Sequence, residues 1–154
     1  MARYWLLKTE PSAYSLEQLH ADGTTPWTGV RNSQARNNMM EMRLDDLALF
    51  YHSSIAEPAA VGICKVVKTA YPDFTQFDRE GEYFDGRAKK DNPIWFMVDV
   101  AYVEAFAHPV TLARMRADPR LVGMALLRRG QRLSVQPVMP HEWKIVRELA
   151  QTAG

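Results

Sequence analysis

Residues 47–68, LALFYHSSIAEPAAVGICKVVK, contain two apolar runs on either side of a polar turn. The first run, Leu47–His52, and the second, residues 60–68, have the length and the residue types of buried β-strands. The segment SSIAEP between them is rich in turn-forming residues. This stretch therefore predicts two β-strands joined by a turn in the middle of the chain.

Further strands and short helices are predicted on both sides of this pair. Apolar runs predict strands at residues 3–8, 94–104 and 132–135. Capping residues and apolar spacing predict helices at residues 15–20, 110–116, 122–128 and 140–149, and one that begins after Asn32. Because the strands interleave with short helices without a regular βαβ rhythm, we expect one α+β domain over residues 1–154, a small, mainly antiparallel β-barrel with the helices packed outside.

The overall composition is that of an ordinary globular protein, with 47% hydrophobic and 24% charged residues. Nineteen Lys and Arg side chains against eighteen Asp and Glu side chains leave a net charge of +1. This charge is too small for a protein that coats nucleic acid through bulk electrostatics. Any contact with nucleic acid is therefore expected to be local.

The sequence lacks the usual marks of a secreted or membrane protein. Cys64 is the single cysteine, which excludes an internal disulfide and a cysteine-based zinc finger and favours a reducing compartment. The N-terminal residues lack the pattern of a signal peptide, and no stretch of 18 apolar residues occurs. We expect a cytoplasmic monomer without a membrane partner.

The motifs of common enzyme and cofactor classes are also missing. The chain has no GxSxG elbow, neither GxxxxGK[ST] nor GxGxxG, and no HExxH among its four histidines. His52 and Ser53 are neighbours, but adjacent residues on a strand point to opposite faces, which argues against a catalytic pair. The residues therefore offer no catalytic motif, and we expect no metal and no cofactor.

Two long windows of the sequence contain arginines and no acidic residue. The first basic window, residues 23–40, contains Arg31 and Arg36, and the second, residues 119–141, contains Arg120, Arg128, Arg129 and Arg132. The windows form one electropositive cleft if the fold brings them together. Two separately solvated faces would give the same pattern, so the charges alone leave both interpretations open.

The first basic window places an aromatic residue, a glycine and several polar side chains at the start of a predicted helix. Residues 27–37 have the sequence WTGVRNSQARN, and the free backbone N–H groups at such a helix start attract anions. Trp27 either offers a flat face on which a base stacks or packs in the core beside capping residues.

The second basic window ends in an extended segment with alternating side chains. Leu133 and Val135 would face the core, while Arg132, Ser134 and Gln136 would share the opposite face. Hydrogen-bonding side chains in such a row can read the edge of a base. A solvated edge strand has the same pattern.

Five motifs in order along the chain closely resemble those of the EVE domain family: residues 4–11 (YWLLKTEP), 27–37, 50–53 (FYHS), 95–100 (WFMVDV) and 128–138. The similarity covers residues 3–148. The resemblance implies a PUA-like fold, a twisted, mainly antiparallel barrel decorated with helices and related to the YTH domains. It also implies a non-enzymatic binder of modified bases in DNA or RNA.

The resemblance further implies a cleft to which both basic windows contribute. The residues expected to form it are Lys8, Trp27, Gly29, Val30, Arg31, Asn32, Gln34, Ala35, Arg36, Asn37, Tyr51, His52, Ser53, Gln131, Arg132, Ser134 and Gln136. Arg128 and Arg129 are expected to contact phosphates together with Arg31, Arg36 and Arg132. Thr28 and Ser33 differ from the residues usual in the family, so the preferred base stays open.

The expected mechanism is the extrusion of one nucleotide into an aromatic-walled pocket, where stacking and edge hydrogen bonds offset the cost of unstacking. The charged loop of residues 71–93 is predicted to border this pocket as a mobile lid, with Tyr83 or Phe84 as a second aromatic wall; a solvated connector is the alternative.

Competing functions are an RNA- or tRNA-modification enzyme or accessory protein, and a binder of a free nucleoside-like small molecule. A titratable pair in the cleft would favour the enzyme, and a closed pocket without a basic rim would favour the small molecule.

Overall fold

The computed structural model describes residues 3–130 and 132–154 of the chain and has an α+β fold. The strands in these residues are β1 (Tyr4–Thr9), β2 (Thr24–Pro26), β3 (Leu47–His52), β4 (Ala59–Pro72), β5 (Phe96–Thr111) and β6 (Val135–Val138). The helices there are α1 (Leu16–Asp22), α2 (Ser33–Met40), α3 (Leu112–Ala117) and α4 (Pro140–Leu149). None of these helices has the length and apolarity needed to cross a membrane.

The six strands of the described residues form one mixed sheet in the order β2-β5-β4-β3-β1-β6. β1 runs parallel to β3, and the other neighbouring pairs are antiparallel, so the arrangement is mainly antiparallel as predicted. Within the described residues this sheet is not closed, so the predicted β-barrel is wrong. The two edge strands are only three and four residues long and contain Pro26 and Pro137, which have no N–H with which to pair a further strand.

Both faces of the sheet are covered, because successive residues of a strand point into two different apolar clusters. Along β1, Trp5 and Leu7 belong to one cluster and Leu6 belongs to the other. The first cluster includes Met39 of α2 and is called here the α2-side cluster; the second includes Met115 of α3 and is called the α3-side cluster. This two-sided burial explains why the strands are continuous apolar runs in the sequence.

The long strands differ from the prediction in their bounds. β4 and β5 have 14 and 16 residues and extend well past the predicted runs. β2 lies outside every predicted strand, and β6 occupies Val135–Val138 instead of residues 132–135. Strand length follows from pairing with a neighbour, which is a tertiary property that the apolar runs do not encode.

The helix predicted over residues 122–128 is wrong. Only a 3-10 turn forms there, at Ala125–Leu127. Gly123 has a φ of 91°, which interrupts a right-handed helix. α3 begins at Leu112, two residues later than predicted, because β5 continues to Thr111 and the Thr111 hydroxyl accepts a hydrogen bond from the Arg114 N–H at 3.1 Å.

Candidate nucleic-acid interface

A cleft of about 740 Å³ opens where the carboxyl ends of β1 and β3 lie beside the start of α2. Its sides are joined through the backbone: the Lys8 N–H donates to the Ser134 carbonyl, and the Ser53 N–H donates to the Thr9 carbonyl, both at 2.9 Å. The residues that line this main cleft are Lys8, Thr9, Glu10, Ala13, Trp27, Thr28, Gly29, Val30, Arg31, Asn32, Ser53, Ser54, Glu82, Tyr83, Arg132 and Ser134. Both basic windows therefore reach the same cleft.

A side pocket of about 370 Å³ adjoins the main cleft. Its lining residues are Thr9, Ala13, Tyr14, Thr25, Pro26, Trp27, Thr28, Glu82 and Tyr83. Six of these residues also line the main cleft. Trp27 and Tyr83 are among the six, so two aromatic rings stand in the wall that the cavities share.

Trp27 combines the two interpretations that the sequence left open. Its side chain is 7% exposed and contacts the ring of Phe50 edge to face, with 5.5 Å between ring centroids. Its backbone N–H donates to the Val98 carbonyl at 2.8 Å, which ties it to β5. Trp27 is therefore a core residue that also lines both cavities.

Tyr83 reaches the cleft by packing against the backbone of Gly29. Gly29 has a φ of 85°, and a Cβ atom at this position would lie 2.8 Å from the Tyr83 ring. Any larger residue would thus push the ring away. Phe84, the other candidate for a second aromatic wall, is 41% exposed and does not line either cavity.

Arg31 holds the 71–93 loop in this position. Its Nε and Nη2 atoms donate to the Tyr83 carbonyl at 3.1 and 2.8 Å, and Nη2 also donates to the Thr75 hydroxyl at 2.9 Å. Nη1 donates to the Val30 carbonyl at 3.0 Å and to the buried Asp73 carboxylate at 3.3 Å. A guanidinium has five N–H donors, and all five are used.

The 71–93 loop is more ordered than a simple connector. β4 extends to Pro72, and a 3-10 turn follows at Phe74–Phe77. The fully buried Gln76 side chain donates to the Asp73 and Trp95 carbonyls at 2.8 and 2.7 Å. It also accepts from the N–H groups of residues 94 and 95 at 3.0 and 2.9 Å. The Gln76 side chain thus links the two ends of the loop. The mobility of the loop stays a prediction.

Lys8 places a partly buried cation in the wall of the main cleft. Its side chain is partly buried, and burial lowers the pKa of Lys8 below its ordinary value. In the part of the chain that the structure describes, no acidic side chain pairs with the ammonium group. The group is therefore available to a ligand with an acceptor atom.

The model of the EVE domain matches residues 3–149 of the chain. The chain belongs to the EVE domain family. This membership confirms the resemblance of its motifs. Thymocyte nuclear protein 1 of Mus musculus is 39% identical over an alignment covering 99% of this chain and 75% of the relative. Thymocyte nuclear protein 1 of Gallus gallus is 41% identical, with 95% and 68% covered.

Solved structures share the fold of this EVE domain. A hypothetical protein from Leishmania major has a TM-score of 0.94 and 42% identity, with 98% of this chain and 96% of that chain covered. Human THYN1 protein in complex with 5-methylcytosine containing DNA has a TM-score of 0.93 and 38% identity, with 99% and 100% covered. A relative of this EVE domain therefore binds DNA that carries a modified base.

The arginines predicted to contact phosphates differ in their surroundings. Arg31 has no N–H donor left for a phosphate, which corrects the role predicted for it. Arg36 does not line the cleft: Nη1 donates to the Ile94 carbonyl at 3.1 Å, and the guanidinium lies 5.4 Å from the Trp95 ring centroid. Arg132 lines the main cleft of the EVE domain, while Arg128 and Arg129 are exposed outside it.

Two residues of the FYHS motif face away from the cleft. Tyr51 is 3% exposed and lies in the α3-side cluster, where burial raises its pKa. His52 is 8% exposed, and its Nε2 atom accepts a hydrogen bond from the Leu16 N–H at 3.2 Å. Alternation along β3 directs Tyr51 to one side of the sheet, and the start of α1 covers His52 on the other. Only Ser53, after the strand ends, lines the main cleft.

Gln136 also lies away from the cleft of the EVE domain. It is 1% exposed, and its Nε2 atom donates to the Leu133 carbonyl at 2.7 Å. The extended segment was predicted to begin at Arg132, whereas β6 begins at Val135, so Ser134 lies before the strand. Gln131 lies outside the described residues.

The residues of α2 that were expected in the cleft do not line it. Ala35 is fully buried, and Gln34 and Asn37 are exposed without lining either cavity. The Gln34 amide donates to Asn38 at 3.1 Å. Of this motif, Trp27, Thr28, Gly29, Val30, Arg31 and Asn32 line the main cleft.

Several lining residues were missed by the sequence analysis. They are Thr9, Glu10, Ala13, Ser54 and Glu82, together with Tyr14, Thr25 and Pro26 in the side pocket. Thr9 and Glu10 directly follow Lys8 at the end of a strand, and this position was an available signal. Glu82 had no signal, because only the tertiary path of the 71–93 loop brings it to the cleft. The cleft that was predicted to be electropositive thus contains two acidic residues, Glu10 and Glu82.

Proposed function

We propose that this EVE domain is a non-enzymatic module that recognises a modified base in DNA or RNA by holding the extruded nucleotide in the main cleft and its side pocket. One observation carries the proposal: a cleft with the rings of Trp27 and Tyr83 in its wall has Lys8 and Arg132 at the same opening. The crystallised complex of human THYN1 protein with 5-methylcytosine containing DNA supports it.

The aromatic part of the cleft suits a base. Extrusion of a nucleotide costs a few kcal/mol, and stacking on an aromatic side chain contributes about 1–3 kcal/mol per base. Because Trp27 is anchored on Phe50 and Tyr83 on Gly29, the two rings are held in place before a base arrives. A fixed wall lowers the entropic cost of binding.

The cationic part of the cleft suits the phosphates beside that base. Arg132 can form a bidentate contact with a phosphate, and Lys8 supplies a point charge. Arg128 and Arg129 lie a few residues before Arg132 and are exposed, so they extend the cationic surface beyond the cleft. With few such contacts, the dependence of affinity on salt is expected to be shallow, at about 0.9 logarithmic units per phosphate.

The experiment is a binding panel of DNA and RNA oligonucleotides that differ in one base, measured at two salt concentrations. The proposal expects tighter binding of an oligonucleotide with a modified base than of its unmodified match. The salt dependence should be the same for both, because the phosphate contacts are shared. Equal affinity across the whole panel would contradict the proposal, and a change in oligonucleotide mass after incubation would show an enzyme instead.

A further inference from the structure

The two connected cavities differ in the charge of their lining. The main cleft contains the cationic side chains of Lys8, Arg31 and Arg132, and none of these three lines the side pocket. Among the residues that the structure places around the side pocket, the one charged side chain is that of Glu82. The lining of the side pocket is therefore negative, although both basic windows contribute to the adjoining main cleft.

The Glu82 carboxylate is free to accept hydrogen bonds. Within residues 3–130 and 132–154 it has neither an ion pair nor a hydrogen bond. The side chain is exposed, and the backbone beside it is held because Arg31 donates to the Tyr83 carbonyl and the Tyr83 ring packs on Gly29. An exposed, unpaired acceptor thus lines the same pocket as the Tyr83 ring.

The chemistry of a carboxylate limits what can occupy the side pocket. An ionised carboxylate only accepts hydrogen bonds, so it repels phosphate oxygens and the O4 atom of thymine or uracil. The exocyclic amino group of cytosine is a donor that Glu side chains recognise in nucleic acids. Ala13 and Pro26 supply apolar lining in the same pocket, which suits a methyl group on the base.

We infer that the side pocket selects a base with an exocyclic amino group, of the cytosine type, and that Glu82 is the residue that accepts a hydrogen bond from that group. This inference rests on the proposed function, since it names the base held by the same site. It adds that a methylated pyrimidine without the amino group, such as thymine, is rejected.

The test uses single-stranded DNA oligonucleotides that are identical except at one position. That position carries 5-methylcytosine, cytosine, thymine or 5-methyl-2-pyrimidinone, which lacks only the exocyclic amino group of 5-methylcytosine. Single strands avoid differences in base pairing. The unaltered protein is expected to bind the 5-methylcytosine strand about tenfold more tightly than the thymine and pyrimidinone strands, which is the size of one charge-assisted hydrogen bond.

Glu82→Gln is the decisive variant, with Glu80→Gln as its matched control. Glu80 is an exposed residue of the same loop, lies outside both cavities and loses the same charge. A Gln side chain both donates and accepts, so Glu82→Gln should bind the 5-methylcytosine and thymine strands within about threefold of each other. Glu80→Gln should keep the preference of the unaltered protein. Melting temperatures establish that both variants are folded.

The outcomes separate the two proposals. If Glu82→Gln keeps the full preference for 5-methylcytosine over thymine, or if the unaltered protein binds these two strands equally while still preferring 5-methylcytosine to cytosine, the role of Glu82 is overturned and the proposed function stands. If the unaltered protein binds all four strands equally, the role of Glu82 is overturned, and if the full panel of modified bases in DNA and RNA also shows equal affinity, the proposed function itself fails.

Discussion

The two basic windows bring the same kind of side chain to one cleft and use it in opposite ways. In the first window, Arg31 donates all its N–H groups to protein oxygens. In the second, Arg132 is exposed in the cleft, and Arg128 and Arg129 are exposed beside it. The number of arginines near a cleft therefore does not measure the charge available to a ligand, whereas the hydrogen-bond partners of each guanidinium do.

The acid that neutralises the first window comes from elsewhere in the chain. Asp73 is fully buried, accepts from the Gly29 N–H at 2.8 Å and pairs with Arg31. In the second window, Arg120 follows the same rule, because it pairs with Asp118 at 2.8 Å. A window without acids in the sequence can thus be closely paired with acids in the fold.

The largest effect is expected for Trp27→Ala, which removes the aromatic anchor of the first window. Because Trp27 is 7% exposed and packs on Phe50, the free energy of unfolding should fall by about 3–5 kcal/mol. Urea denaturation measures this loss. Trp27→Phe keeps a ring and should retain both most of the stability and oligonucleotide binding. A loss below about 1 kcal/mol for Trp27→Ala would show that Trp27 is a surface wall without a core role.

The next largest effect is expected for Arg31→Gln. Arg132→Gln is the matched variant from the second window. Loss of Arg31 leaves the buried Asp73 carboxylate without its cation and releases the Tyr83 carbonyl, so the free energy of unfolding should fall by about 2–3 kcal/mol. Arg132→Gln should change it by less than about 0.5 kcal/mol. Equal stability of the two variants would remove the distinction between the windows.

Alanine substitutions of one glycine from each window distinguish the cost of backbone strain from the cost of side-chain crowding. Gly29→Ala and Gly123→Ala both force alanine to a positive φ, but only the first brings a Cβ atom within 3 Å of a side chain, that of Tyr83. Gly123→Ala should cost about 1 kcal/mol, and Gly29→Ala about 1–2 kcal/mol more. Thermal melts compare them. The excess cost should disappear in a Tyr83→Ala background, and its persistence there would contradict the packing contact.

The smallest effect concerns binding alone. Arg132→Gln should reduce the slope of log affinity against log salt by about 0.9 for one lost phosphate contact. Arg31→Gln should leave the slope of its folded fraction unchanged, because Arg31 has no donor free. Titrations of one oligonucleotide at several salt concentrations compare the variants. A reduced slope in Arg31→Gln with an unchanged slope in Arg132→Gln would reverse the roles of the windows.

Local features of the fold could be predicted from the sequence because they depend on neighbouring residues. The Ser15 hydroxyl accepts from the Gln18 N–H at 3.2 Å, and the Gln18 amide oxygen accepts from the Ser15 N–H at 2.7 Å, which is the predicted capping box. Asn32 caps α2 by accepting from the Ala35 N–H at 3.0 Å. β1 and β3 also lie close to their predicted bounds.

Features that depend on distant residues could not be predicted in this way. The side of the sheet to which Tyr51 points could not be predicted, because β3 is apolar on both sides and the alternation of its residues does not distinguish them. The position of Glu82 at the cleft depends on Gln76 and Arg31, which both hold the 71–93 loop. These two residues lie 45 positions apart in the chain, so their joint effect could not be predicted from neighbouring residues. Motif resemblance brought both windows to one site, but it did not say which side chains are already bound within the protein.

The prolines of the two edge strands also affect how copies of this protein meet. A sheet edge with a full row of free N–H and C=O groups is a template on which the strand of another molecule can add, and this is a route to aggregation. Pro26 in β2 and Pro137 in β6 remove a donor from edges that are only three and four residues long. We therefore expect high concentrations of the folded protein to resist polymerisation through β-strand addition at either edge.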